Sequence, residues 1–219
     1  TDNPCSLIRA WLYKDPSNCK SGDTFYLWDE PDTNGSSYTQ AAQDWLKYSQ
    51  KWASQLATMR SRGINVTTPL ARFGGHGVVE SNLRAFFVAC GGACTDESNP
   101  AYIGVIAANP FCGQWNNPDC RDGATFAYNE LASTYIKSFN LPVYITNWSY
   151  EGEDATVDKQ VNAMMAIENF FPDGESGVVK RLYWLSAIDY PWGHTTGYLT
   201  NSSGGKSLGQ IFEDKCDSL

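Results

Sequence analysis

The sequence predicts an α/β fold, a TIM-barrel-like (β/α) arrangement in one domain over residues 1–219. Short runs rich in β-branched and aromatic residues alternate with amphipathic helical patterns, which favours parallel strands joined by right-handed crossovers. No linker, repeat or low-complexity segment divides the chain, and its length is enough to bury one full core. Together these observations predict a single α/β domain.

About six strands are recognisable in the pattern, fewer than the eight of a closed barrel. The runs are Leu7–Tyr13, Thr24–Trp28, Ile64–Pro69, Tyr102–Ala107, Val143–Trp148 and Arg181–Ile188. An open sheet edge invites pairing with another strand. We therefore expect an incomplete barrel, or one that is completed by a removed propeptide, a partner chain or a second copy of this chain.

Amphipathic segments between these runs predict helices. They extend from Ser37 to Gly63, from about Glu80 to Ala89, from about Ala124 to Phe139 and from about Thr156 to Phe171. In the first segment Trp45 and Trp52 are seven residues apart and so share one helix face. Both are therefore predicted to be core residues.

The charge of the chain excludes one class of partner. Sixteen Lys and Arg residues against 24 Asp and Glu residues give a net charge of −8 without a basic run, so a nucleic acid backbone is repelled. No apolar stretch reaches the roughly 18 residues that a bilayer crossing needs, and Thr1–Pro4 is not a signal peptide. We expect a mature chain with no membrane span.

The cysteine pattern predicts disulfides and therefore secretion. Seven cysteines occur in near pairs without zinc-type spacing, so we expect no metal site and no cofactor. The predicted pairs are Cys90 with Cys94 and Cys112 with Cys120, each of which brackets a short loop, and Cys5 with Cys19 is a candidate third pair. Cys216 is left over, either as a free or alternatively paired thiol or in an intermolecular disulfide. Glycosylation sequons agree with an extracellular chain and lie at Asn34, Asn65 and Asn201, with a fourth at Asn147 at the end of a run predicted to be buried.

Two strand ends carry the residues expected at a sugar site, Trp28–Asp32 and Thr146–Glu151. In α/β folds the chemistry lies on loops after the carboxyl ends of strands. A carboxylate flanked by Trp rings can protonate a glycosidic oxygen while the rings stack on the sugar, which makes Glu30 the candidate acid. The alternative is that Asp29, Glu30 and Asp32 only cap the next helix and bind loop amides.

Aromatic residues near these strand ends are the candidates for substrate contact. They are Trp28, Trp148, Tyr150 and Trp192, together with His76 on the loop after the third strand run. His76 has a plain alternative as a surface residue.

Several segments resemble one known family when they are taken in order. They are Trp28–Asp32, Ala41–Trp45, Leu83–Phe87 with Cys90 and Cys94, Leu141–Thr146, and Arg181–Trp184 with Gly204–Gly209. This order and spacing resemble glycoside hydrolase family 128, whose members are compact clan-A (β/α)-barrel endo-β-1,3-glucanases. The resemblance implies that Glu30 is the acid/base and that Asn147 stands at the position of the nucleophile.

The departures from the family pattern are as informative as the matches. The amide of Asn147 cannot form a glycosyl ester by carboxylate attack. Asp29 replaces the usual Asn before the acid/base, and a second carboxylate beside Glu30 is expected to raise the pKa of one of the two. The family's aromatic and His residues on the middle strand correspond here to 106–108. The chain is N-terminally short as well, since only 28 residues precede Asp29.

Three functions follow from these features. The first is a secreted glycosidase-like domain with a degenerate retaining site that binds glycan, most simply a β-glucan, or builds an extracellular assembly. The second is an active endo-β-1,3-glucanase that uses Glu30, either with Asn147 replacing a Glu by design or with a displaced base from Glu151, Asp154 or Asp189 for an inverting reaction. The third is a subunit that acts only when a partner supplies the missing strands.

Overall fold

The computed structural model describes residues 21, 24–28, 30–33, 35–73, 76–113, 119–152, 154–184, 202–203 and 205–216. The predicted strand Leu7–Tyr13 and the predicted pair of Cys5 with Cys19 lie outside the described residues. By its internal contacts the chain divides into two compact units. The first consists of Thr1–Ala71 with Ser81–Ala107, and the second of Arg72–Glu80 with Ala108–Leu219. The single domain over residues 1–219 stays a prediction.

The strands pair mainly in parallel. They are β1 (Thr24–Phe25), β2 (Asn65–Val66), β3 (Ala71–Arg72), β4 (Ile106–Asn109), β5 (Val143–Trp148), β6 (Val179–Trp184), β7 (Ser202–Ser203) and β8 (Lys206–Ser207). Strands β1 and β2 are parallel, with Thr24 opposite Asn65, and one sheet has the order β3-β4-β5-β6, in which β5 and β6 are parallel. Strands β7 and β8 form an antiparallel pair.

Helices lie between β1 and β2 and between the successive strands from β3 to β6, and with them the predicted α/β class is confirmed. They are α1 (Tyr38–Lys51), α2 (Ala53–Ser61), α3 (Val78–Cys90), α4 (Cys120–Leu131), α5 (Thr134–Lys137), α6 (Val157–Met165) and α7 (Leu208–Cys216). Short 3-10 helices follow α3 at Gly91–Cys94 and α6 at Ala166–Phe170. Across the part of the chain that the structure describes, no helix combines the length and the apolar composition needed to span a bilayer.

Side-chain caps fix where several helices begin. The side chain of Ser37 accepts a hydrogen bond from the backbone N–H of Gln40 at the start of α1. Asp119 accepts from two amides at the start of α4, and Thr156 accepts from Lys159 N at the start of α6. These caps satisfy helix amides that have no partner within the helix.

Two predicted helices are each divided in the structure. The segment predicted from Ser37 to Gly63 has non-helical backbone angles at Trp52, which separates α1 from α2. The segment predicted to start near Ala124 begins instead at Cys120, and a new cap at Ser133 starts the short helix α5. Each division has a local cause: one non-helical residue, Trp52, in the first segment and a polar cap, Ser133, in the second. Neither changes the apolar spacing, so the sequence pattern does not show them.

Each unit has its own apolar core. In the first unit Leu56, Met59 and Ile103 have almost no exposed surface, and buried Trp45 donates its indole N–H to the carbonyl oxygen of Ala101 at 2.8 Å. Trp52 is only half-buried. In the second unit the side chains of β5 pack in a buried layer that includes Ile145.

Candidate functional site

Strand β5 carries an irregularity at its polar end. Ile145 lies opposite Leu182 and Trp148 lies opposite Trp184, so β5 contains one more residue than β6 over this interval. The extra residue falls at Thr146 and Asn147, the position that the sequence resemblance assigns to the nucleophile. Bulges of this kind redirect side chains and are common beside functional sites.

Asn109, at the end of β4, holds the two bulged residues together. Its side chain is buried, and its Oδ1 atom accepts hydrogen bonds from Asn147 Nδ2 at 3.0 Å and from the hydroxyl of Thr146. The Thr146 hydroxyl also lies 2.9 Å from the carbonyl oxygen of Ala108. Asn147 is half-buried, and among the described residues none donates a hydrogen bond to its side-chain oxygen. That oxygen is therefore a fixed acceptor at the end of β5.

The next polar residues on the same side of the chain are Ser149 and Glu151. Alternate residues of an extended chain point to the same side, and the buried hydroxyl of Ser149 donates to Oε1 of Glu151. The backbone N–H of Glu151 donates to the carbonyl oxygen of Cys112 at 2.8 Å, within a parallel bridge between Cys112 and Tyr150. The hydrogen bond from Ser149 thus orients the Glu151 carboxylate, and the hydrogen bond to Cys112 fixes the Glu151 backbone.

Trp148 and Tyr150 point to the opposite side of the strand, toward α6. The indole of Trp148 donates to the carbonyl oxygen of Ala163 at 2.8 Å and packs edge-to-face on Phe170, with no exposed surface. Tyr150 is 4% exposed and donates its hydroxyl hydrogen to Asp154 Oδ1 at 2.6 Å. Because Trp148 has no exposed surface, the prediction that it stacks on a sugar is wrong, whereas substrate contact by Tyr150 stays a prediction.

The carboxylate of Asp154 is already committed to a neighbouring cation. Lys159 forms an ion pair with Asp154 and also donates to the Tyr150 hydroxyl at 3.1 Å. Hydrogen bonds from Lys159 and then from Tyr150 lower the pKa of Asp154, and the same pair raises the pKa of Lys159. Asp154 is therefore an ionised structural partner on the α6 side of β5, away from Ser149.

Gln160 fixes the backbone at this strand end and has no exposed surface. Its Oε1 atom accepts from the backbone N–H of Tyr150 at 3.0 Å, and its Nε2 atom donates to the carbonyl oxygen of Tyr150 at 2.8 Å. The side-chain amide thus occupies the place that a neighbouring strand would take. Sequence reasoning missed both Gln160 and Asn109; the signal for Asn109 was a polar residue that ends the apolar run of β4.

In the first unit, Glu30 lies in a tight turn after β1. Its backbone φ is +30°, a left-handed conformation that strains a residue with a side chain by about 1–3 kcal/mol and is typical of functional loops. Its carbonyl oxygen accepts hydrogen bonds from the backbone N–H and the hydroxyl of Thr33 at 3.0 and 2.8 Å. Because Ser37 caps α1, the alternative in which Asp32 or Glu30 caps that helix is wrong. Trp28 is half-buried.

His76 is held against helix α4 in the second unit. Its ring packs edge-to-face on Phe126 at 4.7 Å, and its Nδ1 atom lies 3.8 Å from Oε1 of Glu130. The side chain is 90% exposed, and the other carboxylate oxygen of Glu130 accepts from the backbone N–H of Gly77 at 2.7 Å. The contacts of His76 are therefore with α4.

The structure contains disulfides between Cys90 and Cys94 and between Cys112 and Cys120. Both join cysteines that the sequence analysis pairs. Asn65 lies half-buried in β2. Besides Cys5 and Cys19, five predicted site residues lie outside the described residues, namely Asp29, Asn34, Asp189, Trp192 and Asn201. Among the residues that are described, no group of three or more His, Cys, Asp or Glu side chains is arranged to hold a metal ion.

Two solved structures with a similar backbone belong to the same enzyme family. A subgroup II endo-β-1,3-glucanase of glycoside hydrolase family 128 from Sorangium cellulosum matches with a TM-score of 0.51 and 20% identity, over 80% of this chain and 62% of that chain. A subgroup VI exo-β-1,3-glucanase of that family from Aureobasidium namibiae matches with a TM-score of 0.51 and 11% identity, over 88% and 66%. The fold of this chain is similar to that of glycoside hydrolase family 128.

This similarity confirms the family resemblance found in the sequence at the level of the fold. No protein-family model and no curated protein matches the sequence. The chain spans just under two thirds of the length of each of the two family 128 structures. A shared fold at such low identity leaves the chemistry to the individual side chains.

Proposed function

We propose that this chain is a secreted glycosidase-like domain that binds a β-glucan at the end of β5 and does not cleave it by the retaining route. The observation that carries the proposal is the 3.0 Å hydrogen bond from Asn147 Nδ2 to Asn109 Oδ1. A retaining site needs a carboxylate nucleophile at this position, whereas a fixed amide offers a neutral acceptor and donor for sugar hydroxyls. Secretion is supported by two disulfides, which join Cys90 with Cys94 and Cys112 with Cys120, because disulfides persist in oxidising compartments.

The binding test uses a β-1,3-linked glucose hexasaccharide and isothermal titration calorimetry. We expect the unchanged protein to bind it and Asn147→Ala to bind about tenfold more weakly, since one hydrogen bond to a sugar hydroxyl is lost. Asn162→Ala is the matched control, because Asn162 is an exposed asparagine on α6, on the other side of β5. Equal weakening by both variants, or absence of binding by the unchanged protein, would contradict the proposal.

Asn109 acts as a positioning residue in this proposal. Asn109→Asp keeps an oxygen that accepts from Thr146 and Asn147, whereas Asn109→Leu has a similar size and no acceptor. We expect Asn109→Asp to retain most of the hexasaccharide affinity and Asn109→Leu to lose as much as Asn147→Ala. The double variant Asn109→Leu with Asn147→Ala should then be no weaker than either single variant, because the two residues act as one unit.

Hydrolysis by the same proteins separates binding from catalysis. Product sizing with the hexasaccharide should show no cleavage by the unchanged protein. A gain of cleavage by Asn147→Glu that Glu30→Gln abolishes supports a hydrolase scaffold whose nucleophile alone is missing. Cleavage by the unchanged protein would overturn the non-catalytic proposal.

A second candidate function is an active inverting endo-β-1,3-glucanase, and the oriented carboxylate of Glu151 favours it. Its partner Ser149 fixes one carboxylate oxygen, as expected of a base that positions a water molecule. Under this alternative the unchanged protein cleaves the hexasaccharide, and Glu151→Gln abolishes cleavage while Asn147→Ala does not. A second copy or a partner chain that completes the barrel stays a prediction, for which sedimentation of the protein with and without the glucan is the measurement.

A further inference from the structure

A cavity of about 350 Å³ lies in the second unit, on the α6 side of β5. It is lined by the start of α4, by α6 and by Tyr150, and its volume falls within the range of small-molecule sites. Asn147, Ser149 and Glu151 point to the other side of the chain from Tyr150. The cavity is therefore separate from the proposed glucan site.

The walls of the cavity are held by covalent and hydrogen bonds. The disulfide between Cys112 and Cys120 fixes the first residue of α4 beside the end of β5. The Tyr150 ring lies so close to Gly113 and Gly152 that a Cβ atom on either glycine would come within 2.7 Å of a ring atom. Gln160 binds the Tyr150 backbone from α6. A site whose walls are already ordered loses little entropy when it binds a ligand.

Hydrogen-bond donors dominate the polar lining. The guanidinium of Arg121 has no ion-pair partner among the described residues, and the exposed Asn162 amide has no partner there. Lys159 uses two of its three N–H groups, on Asp154 and on the Tyr150 hydroxyl, so one remains. The raised pKa of Lys159 keeps it protonated at neutral pH. This lining calls for a ligand with acceptor oxygens and a negative charge.

The remaining lining groups narrow the ligand further. Asp119 uses its Oδ1 atom to cap α4, which leaves Oδ2 as an acceptor for a ligand hydroxyl. Met165, half of whose surface is exposed, adds an apolar wall. A ligand that satisfies all of these groups combines a carboxylate, several hydroxyls and an apolar face.

We propose that this cavity binds a sugar acid, a hexuronate whose carboxylate pairs with Arg121 and whose hydroxyls contact Asn162 and Asp119. The apolar face of the pyranose ring lies on Met165. The whole chain carries a net charge of −8 and therefore repels anions at long range. The attraction between Arg121 and the ligand carboxylate acts only within the cavity. Binding therefore depends on salt and on the identity of the sugar.

The test is titration calorimetry of the full chain with glucuronate, with glucose and acetate as separate probes. We expect glucuronate to bind at least about tenfold more tightly than either probe, because only glucuronate offers both the charge and the hydroxyls. Arg121→Gln should weaken glucuronate about tenfold or more, and Asn162→Asp should weaken it by repulsion. Lys137→Gln, which removes an exposed cation at the end of α5, is the matched control and should change nothing.

Several results would overturn the proposal. Absence of glucuronate binding, acetate binding as tight as that of glucuronate, or equal affinities of Arg121→Gln and the unchanged protein would each do so. Asn147→Ala separates this proposal from the proposed function, because it should weaken the glucan hexasaccharide and leave glucuronate unchanged. Circular dichroism of Arg121→Gln and Asn162→Asp checks that both exposed substitutions leave the fold intact.

Discussion

Gln160 offers the sharpest test of how the end of β5 is held. In Gln160→Ala the backbone N–H and carbonyl groups of Tyr150 lose their partners at 3.0 and 2.8 Å, in a place with no exposed surface. Each buried polar group without a partner costs about 1–3 kcal/mol. We therefore expect the free energy of unfolding to fall by about 2–6 kcal/mol, a large part of the 5–15 kcal/mol typical of a domain.

Gln160→Glu gives a second signature with a defined sign. The carboxylate still accepts from the Tyr150 N–H, but its other oxygen faces the Tyr150 carbonyl oxygen and the charge is buried. Burial raises the pKa of this Glu above its unfolded value of about 4.3. The stability of the variant is then greatest below about pH 4.3 and is lost as the pH rises through the folded pKa.

Urea unfolding measures both variants, and Gln43→Ala on the exposed side of α1 is the matched control. If Gln160→Ala and Gln43→Ala were equally stable, the argument that the side-chain amide replaces a neighbouring strand would be refuted. The argument that this position is buried would likewise be refuted if acidification did not raise the free energy of unfolding of Gln160→Glu relative to that of the unchanged protein. A loss of glucuronate affinity in Gln160→Ala would show that the cavity depends on the hydrogen bonds between Gln160 and the Tyr150 backbone.

Three further measurements test other contacts of the second unit. Burial and the hydrogen bond to Asp173 raise the pKa of Tyr128 from 10.0 to about 12, so the stability difference between the unchanged protein and Tyr128→Phe should be constant below pH 10 and shrink as the pH approaches 12. Replacing Cys112 and Cys120 by Ser should lower the free energy of unfolding by about 2–3 kcal/mol, since the closed loop is short. Trp148→Ala should cost about 3–5 kcal/mol in urea unfolding because the indole is fully buried.

The apolar pattern was sufficient to locate the elements that dominate the second unit. The run Val143–Trp148 is β5 without any change of bounds, because it is rich in β-branched and aromatic residues and begins directly after a proline. The Gly63 stop of the second helix of the first unit was also visible in the sequence. By contrast, β3, β7 and β8 have two residues each and, unlike the equally short β1 and β2, do not lie in a longer run of β-branched and aromatic residues.

The site was harder to predict than the fold because it depends on contacts between distant residues. Trp148 follows two polar residues and therefore resembled a sugar platform, but its indole binds Ala163, which lies 15 residues further along the chain. Asn109 and Asn147 are 38 residues apart and meet only because β4 and β5 are neighbours in the sheet. Neither fact is carried by local spacing.

The alternation of side chains along the end of β5 places this one short segment beside both of the proposed sites. Asn147, Ser149 and Glu151 form the polar side, whereas Trp148 and Tyr150 anchor the segment to α6, and Tyr150 also lines the cavity. Substitutions at alternate positions should therefore divide into those that change glucan binding and those that change stability or the cavity. Because family 128 structures share this backbone at 20% identity or less, these side chains, and not the fold, decide whether the domain cleaves, binds glucan or binds a sugar acid.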